Sequence, residues 1–363
     1  QTQGMEENAA GRDRVWEWAQ LQCELDLRQR FCAELARCSY IVISLPDELR
    51  QHVLDMQEHA KQFFAQPSEV RRALGALRLF KHKVIGYREM GEGLSRFLEV
   101  HALAGGGSIP RAKTPSTLGP TAERLHAGLQ AIARELVEWL AAYIEVPSMA
   151  LLQCLDTPSL DNLDRGDCSA SVLRLCSYGA EGQQAADPGH AAEAHAEENC
   201  EEADVVFDEH TDASFITLAA VGSCAGLQMK CVDTDAWLDV EENLSSAAGH
   251  LVAFVGDFLE VLTKGRLQGA RHRVVRRGRQ TQRLSMPFLV RGQPEAEINT
   301  AEFVDSGSSD ISLLRIEGMK CMEMRRFLDL KGRARFRGKH LLPASAAIGP
   351  ESGEGRDAES LPE

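Results

Sequence analysis

Two histidines and one aspartate are spaced so that they could bind a single metal ion. His210 and Asp212 are separated by one residue, so in an extended backbone both side chains leave the same face of the chain. His272 lies in a long apolar segment, 249–275, whose hairpin-like pattern could return it across a sheet to the same point. Two imidazoles and one carboxylate are a ligand set for divalent iron that leaves coordination positions open.

The spacing of these three residues alone leaves other interpretations open. Most His-x-Asp triplets are a solvated histidine near an aspartate. His272 is flanked by Arg271 and Arg273, so it could equally be a surface residue of a basic strand. A zinc hydrolase with two histidines and one carboxylate as its ligands is a further alternative.

An arginine and a serine further along the chain could bind a carboxylate. Arg283 and Ser285 lie on one face of a predicted strand, because alternate residues of a strand share a face. A guanidinium binds a carboxylate bidentately, and a hydroxyl adds a third hydrogen bond. A metal site beside an organic-acid site indicates an oxygen-activating enzyme. In the alternative interpretation, Arg283 belongs to a basic, solvated series that also contains Arg271, Arg273, Arg276, Arg277 and Arg279.

The composition is typical of a globular protein rather than a nucleic-acid-binding or membrane protein. Of the 363 residues, 44% are apolar and 26% are charged. The net charge of −14 argues against a nucleic-acid partner, which would require a basic surface. We expect no membrane partner, because no apolar run approaches the roughly 20 residues that span a bilayer. No secretory signal is visible and no cysteines have CxxC spacing, so we expect a cytoplasmic protein with reduced thiols.

Hydrophobic periodicity predicts an α+β protein with a mainly β core. Residues 15–150 are expected to form an N-terminal helical region with a few strands, which includes a long amphipathic helix at Thr121–Ile144. We expect this helix to lie along the outside of a sheet. From Phe207 onward short strands alternate with turns, including a predicted strand at Phe258–Leu262, and this spacing indicates a sandwich or jelly roll.

The composition also predicts segment boundaries. The β core is expected at residues 168–300, interrupted by a polar, mobile insertion at 179–202. A helix is predicted at Ile311–Leu330. The remaining predicted segments are a disordered tail or cloning remnant at 1–14, a C-terminal segment at 301–341 and a disordered tail at 342–363.

The segment from Phe207 to Val290 resembles the iron(II)- and 2-oxoglutarate-dependent dioxygenases, in the branch that includes isopenicillin N synthase and the plant flavonoid and gibberellin oxygenases. The resemblance lies in the order of HTD, GLQM, a Trp, GHLVAFVGDFLEVLTKGRLQGARHRVV and RLSMPFLV. A weaker similarity covers FCAELARCSYIVISL and LDMQEHAKQFFAQPSEVR. The resemblance to this family implies a double-stranded β-helix, or jelly roll, flanked by N-terminal helices and a long supporting helix.

The resemblance also implies roles for individual residues. The implied iron ligands, which are also the implied catalytic residues, are His210, Asp212 and His272. Arg283 and Ser285 would hold the distal carboxylate of 2-oxoglutarate. Tyr178, in LRLCSYG, is similar to a tyrosine that hydrogen-bonds this co-substrate. Gly179 replaces the family's usual proline and Cys176 its common asparagine, so the local geometry there departs from the family pattern.

The implied activity is oxidation of a small organic metabolite by dioxygen, through hydroxylation, desaturation or cyclisation. The implied cofactors are Fe(II) and 2-oxoglutarate, which is converted to succinate and carbon dioxide, with ascorbate as a candidate reductant. One alternative is a same-fold Fe(II) oxidase that does not use 2-oxoglutarate, of the isopenicillin N synthase or aminocyclopropane-carboxylate oxidase type. Another is a non-catalytic binding module. We expect a monomer. The sequence does not identify the substrate.

Overall fold

The predicted tails, most of the 179–202 insertion and most of the C-terminal segment lie outside the described part of the chain. The computed structural model describes residues 15–73, 77–79, 83–90, 95–103, 108–109, 118–156, 168–179, 204–263, 265–276, 282–293, 296–298 and 322–323.

Helices with one apolar face form the first part of the chain. In α3 (Asp47–Phe64) the fixed backbone angle of Pro46 precedes the first turn, and the carboxylates of Asp47 and Glu48 lie at the positive end of the helix. The elements up to residue 109 are β1 (Val15–Glu17), α1 (Trp18–Cys23), α2 (Leu25–Cys38), β2 (Tyr40–Ser44), α3 (Asp47–Phe64), α4 (Ser68–Arg72), β3 (Leu77–Leu79), β4 (Lys83–Met90), β5 (Ser95–Ala102) and β6 (Ser108–Ile109).

The long helix α5 (Leu118–Tyr143) starts three residues before the predicted position. Pro120 does not prevent this start, because the first turn of a helix needs no backbone N–H from that residue. The helix packs on α3 and on strands of the larger sheet, as expected, and α6 (Ser148–Leu152) follows it. None of the described helices combines the length and the apolar composition that crossing a bilayer requires.

Eight strands form a double-stranded β-helix, which confirms the predicted fold. They belong to two sheets, and the chain crosses from one sheet to the other after each strand except β10, which is followed by its neighbour β11 in the smaller sheet. In the larger sheet the order is β12-β9-β14-β7, and in the smaller sheet it is β11-β10-β13-β8. The strands are β7 (Val172–Tyr178), β8 (Asp204–His210), β9 (Ile216–Ala220), β10 (Leu227–Lys230), β11 (Trp237–Asp239), β12 (His250–Val255), β13 (His272–Arg276) and β14 (Arg283–Val290).

The N-terminal strands extend the larger sheet on both sides. β2 pairs with β12 on one side, and β5 pairs with β7 on the other. Helices α3 and α5 cover the outer face of this sheet, where Phe215, Phe258 and Phe288 are fully buried. Burial of one such ring stabilises the fold by about 1.5–3 kcal/mol. A second apolar cluster lies between the two sheets and includes Met229 and Phe254. The domain boundaries drawn from the sequence stay predictions.

Two predicted elements are wrong. Phe258–Leu262 belongs to helix α7 (Asp257–Leu262), not to a strand. A short apolar run fits a strand and a helix equally well. Here the helix begins after Gly256, and the N–H of Phe258 in its first turn donates to the Ser214 carbonyl. Segment 249–275 is therefore not a hairpin, because its helix carries the chain from the larger sheet to the smaller one.

The other incorrect element lies in the C-terminal segment. Strand β16 (Met322–Glu323) pairs with β15 (Glu297–Ile298), so a continuous helix at Ile311–Leu330 is wrong at these two residues. The rest of that predicted helix lies outside the described residues.

Candidate metal centre

The smaller sheet brings the two predicted histidine ligands together. His210 is the last residue of β8 and His272 the first residue of β13, and the two are directly opposite each other in the antiparallel pairing. Their ring centroids are 4.1 Å apart. Asp212 lies two residues beyond the end of β8. The three side chains each place one ligand atom within 4.8 Å of the others, a distance at which they could hold one metal ion.

Backbone carbonyls orient both imidazoles. The Nδ1 atom of His210 lies 2.8 Å from the Asp208 carbonyl oxygen, and that of His272 lies 2.9 Å from the Ala270 carbonyl oxygen. A carbonyl can only accept a hydrogen bond, so each Nδ1 atom carries the proton. Each Nε2 atom therefore faces Asp212, and these atoms lie 3.7 and 3.9 Å from Oδ1 of Asp212. The arrangement fits a metal ion at the point where the three atoms converge.

Asp212 is held as an anion with one oxygen directed at the imidazoles. Thr217 Oγ1 donates a hydrogen bond of 2.7 Å to Oδ2 and leaves Oδ1 facing the two histidines. Burial opposes ionisation, but the charges of His272 and His210 outweigh it and hold the pKa of Asp212 well below its usual range. The donor set is thus two imidazole nitrogens and one carboxylate oxygen.

The predicted carboxylate-binding residues lie in the larger sheet, on the other side of the same cavity. Arg283 and Ser285 share the inner face of β14, and Arg283 is opposite Tyr178 of β7 in the pairing register. The side chain of Arg283 is buried, whereas that of Arg271 is exposed. Arg283 is therefore not one more member of a solvated basic face.

The guanidinium of Arg283 has a partner that the sequence did not predict. Its Nη2 atom donates to both carboxylate oxygens of Glu241, at 3.0 and 2.8 Å, and its Nε atom donates to the Cys224 carbonyl at 3.1 Å. Burial works against the charge, but Glu241 outweighs it and raises the pKa of Arg283. The Nη1 atom is buried without a hydrogen-bond partner. This remaining donor fits the carboxylate of a bound acid.

The cavity between these two groups is largely apolar. Its walls include Phe97 and Phe207, whose rings meet edge to face. Burial raises the pKa of Tyr178 well above its usual value and also raises the pKa of Cys176. Both groups therefore stay protonated, and the Tyr178 hydroxyl keeps the proton that a hydrogen-bond donor needs.

A buried ion pair lies beneath the cavity. Arg174, which contributes to the cavity wall, donates from Nε to Glu99 at 3.0 Å. The Nη2 atom lies 2.9 Å from the same carboxylate oxygen. The sequence showed no sign of this pair, because Glu99 and Arg174 come from distant strands that the larger sheet makes neighbours.

The fold and the cluster together define a double-stranded β-helix with a candidate mononuclear metal site between its sheets. Residues 172–292 match the family model of the 2OG-Fe(II) oxygenase superfamily. This segment contains the three candidate metal ligands together with Tyr178, Arg283 and Ser285.

A curated relative is similar over a longer stretch of the chain. Gibberellin 2-beta-dioxygenase 2 of Arabidopsis thaliana is 27% identical over 236 residues, which are 64% of this chain and 62% of that protein. The chain thus spans about three fifths of the length of this relative.

Solved structures share the fold. A protein from Caulobacter crescentus assigned to the 2OG-Fe(II) oxygenase family has a TM-score of 0.65 at 21% identity, covering 89% of this chain and 98% of that one. A Neurospora crassa protein, solved in complex with alpha-KG and 5-formyluracil, has a TM-score of 0.61 at 16% identity, covering 86% and 93%. At these identities the likeness concerns the fold alone.

Proposed function

We propose that the protein is a non-haem Fe(II)- and 2-oxoglutarate-dependent dioxygenase that oxidises a small organic molecule. In the hydroxylation form of the reaction, 2-oxoglutarate, dioxygen and a C–H group give succinate, carbon dioxide and an alcohol. One observation carries the proposal: three ligand atoms converge on one side of a cavity, and the unpartnered Nη1 atom of Arg283 lies on the other.

The ligand set is suited to this chemistry. His210, Asp212 and His272 would bind the metal through two nitrogens and one oxygen, which leaves positions open for small molecules. When bound, the iron would supply the activation of dioxygen and the oxidising power for the substrate. The chain's own contribution there is to hold the three ligand atoms in place before the metal arrives, through Thr217 and two backbone carbonyls.

The opposite side of the cavity would bind the co-substrate. Arg283 Nη1 would donate to its distal carboxylate, and the hydroxyls of Ser285 and Tyr178 line the same space as further donors. These groups would supply binding energy and orientation rather than bond cleavage. The aromatic walls at Phe97 and Phe207 would keep water away from the reacting groups.

The finer properties of this enzyme stay predictions from the sequence. They are a small metabolite rather than a peptide as the substrate, ascorbate as a reductant, a monomeric state and a cytoplasmic location. The excess of acidic over basic residues supports the absence of a nucleic-acid partner, because a net charge of −14 repels phosphates.

Succinate formation tests the proposal directly. The protein is supplied with Fe(II), 2-oxoglutarate, dioxygen and an extract of small metabolites, and we expect succinate and carbon dioxide in equal amounts. Asp212→Ala should abolish this release, because it removes the anionic ligand. Asp204→Ala, at the exposed start of the same strand β8, is the matched control and should keep it.

Two results would contradict the proposal. Oxidised product without succinate would support an oxidase of the same fold. No product and no succinate from any extract fraction, with a folded protein, would support a binding module.

A further inference from the structure

The guanidinium of Arg283 already has a counter-ion that is built into the protein. Glu241 is buried, and its carboxylate accepts hydrogen bonds from three backbone N–H groups as well as from Arg283. The backbone donors are Gly222 at 2.8 Å, Gly226 at 3.0 Å and Leu227 at 2.8 Å. These bonds hold the carboxylate in place, because each one ties an oxygen to the backbone of the loop between β9 and β10 or to the first residue of β10.

The same loop encloses the guanidinium. A Cβ atom on Gly222 would lie 2.7 Å from Nη2 of Arg283, and one on Gly226 would lie 2.9 Å from Nε. The backbone thus passes too close to Arg283 for any larger residue at these two positions. With Nη2 bonded to Glu241 and Nε to Cys224, Nη1 is the one nitrogen of this group that remains for a ligand.

Building on the proposed function, we infer that Glu241 limits the affinity of the co-substrate site by neutralising Arg283 and leaving it a single donor nitrogen. A carboxylate that enters the cavity meets an ion pair without net charge, and the second carboxylate beyond it repels the ligand. An unpaired arginine would instead offer a full charge and a two-nitrogen fork. Glu241 is therefore a positioning residue that reduces co-substrate affinity while it holds the guanidinium of Arg283 in place.

The sign of a charge-removing substitution separates this role from a merely structural one. Glu241→Gln nearly keeps the shape of the side chain and removes its charge, although its NH2 group must face an N–H donor, so the folded variant should bind 2-oxoglutarate about tenfold more tightly. If Glu241 only supported the loop, the same change would weaken binding or leave it unchanged. Glu242→Gln is the matched control, because Glu242 is the exposed neighbour, and it should leave binding unchanged.

The experiment measures binding without turnover. Calorimetric titration of 2-oxoglutarate into the Mn(II)-loaded protein gives the dissociation constant for wild type, Glu241→Gln and Glu242→Gln. The affinity for Mn(II) itself should be the same in all three, because Glu241 is not among the clustered metal-ligand candidates. A folded Glu241→Gln protein that binds 2-oxoglutarate with equal or lower affinity would overturn the inference.

A measurement on the wild-type protein covers the case in which Glu241→Gln does not fold. 5-Methyl-2-oxohexanoate has the shape of 2-oxoglutarate with an uncharged distal group. Because the Arg283–Glu241 pair has no net charge, wild type should prefer 2-oxoglutarate by less than about a hundredfold, which is roughly what hydrogen bonds from Nη1 and the two hydroxyls would supply. A larger preference would overturn the inference alone. Failure of the wild type to bind 2-oxoglutarate at all would overturn the proposed function as well.

Discussion

Replacement of Thr217 by valine tests whether Asp212 is held in position as a metal ligand. Thr217 Oγ1 donates to Oδ2 of Asp212 at 2.7 Å and lies 2.9 Å from Ser214 Oγ, and all three residues are buried. Valine keeps the shape of the side chain and removes the donor. A hydrogen bond to a charged group contributes about 1.5–3 kcal/mol, so the free energy of unfolding of the metal-free protein should fall by about 2 kcal/mol.

The metal affinity of Thr217→Val should fall as well, by about 10- to 100-fold, because the hydroxyl orients a ligand carboxylate. Thr263→Val is the matched control. Thr263 is also fully buried, and its hydroxyl donates to the Leu259 carbonyl at 2.6 Å and accepts from the Leu267 N–H at 3.2 Å, away from the cavity. The control should lose about 1–3 kcal/mol of stability and no metal affinity.

Urea denaturation of the metal-free proteins and Mn(II) titration of the folded proteins measure the two quantities separately. Equal metal affinity in Thr217→Val and Thr263→Val would refute the reasoning, because Thr217 would then act on the fold alone.

Two further predictions concern buried titratable groups. Glu99→Gln removes the counter-ion of Arg174 and should lower the free energy of unfolding by about 3 kcal/mol. Asp47→Asn, which breaks an exposed pair, should cost less than about 1 kcal/mol in the same urea denaturation, and equal losses would contradict this. Burial lowers the pKa of His126 from 6.5 to about 4. Between these pH values only the unfolded chain binds a proton at this residue, so the free energy of unfolding falls as the pH falls through them. His126→Gln should reduce that loss between pH 7 and 4.5 by up to about 3 kcal/mol, and an unchanged pH dependence would argue against a neutral buried histidine.

The convergence of the metal ligands could be predicted because it depends on short-range rules and on one resemblance. His210 and Asp212 are close in sequence, and alternation along β14 places Arg283 and Ser285 on one face. The position of His272 needed the resemblance, because nothing in its own surroundings distinguishes a ligand from a histidine in a basic strand. The structure adds the pairing of β8 with β13, which places it opposite His210.

Two features could not be predicted, for different physical reasons. Helix α7 has an apolar run of a length that suits a buried strand or a buried helix, and tertiary contacts at Gly256 decide between them. Glu241 stands beside Glu242, and two adjacent acidic residues are typical of a solvated turn. Only the fold shows that one of them turns inward to Arg283 and to three backbone N–H groups.

Absorption spectroscopy tests the central claim most directly, namely that His210, Asp212 and His272 hold one ferrous ion next to the co-substrate site. Under anaerobic conditions, addition of Fe(II) to the protein with 2-oxoglutarate should produce a visible charge-transfer band that saturates at one ion per chain. His272→Ala, with a fold unchanged by circular dichroism, should show no such band. A wild-type protein without the band, or a His272→Ala protein with the same band, would contradict the assignment of these three ligands.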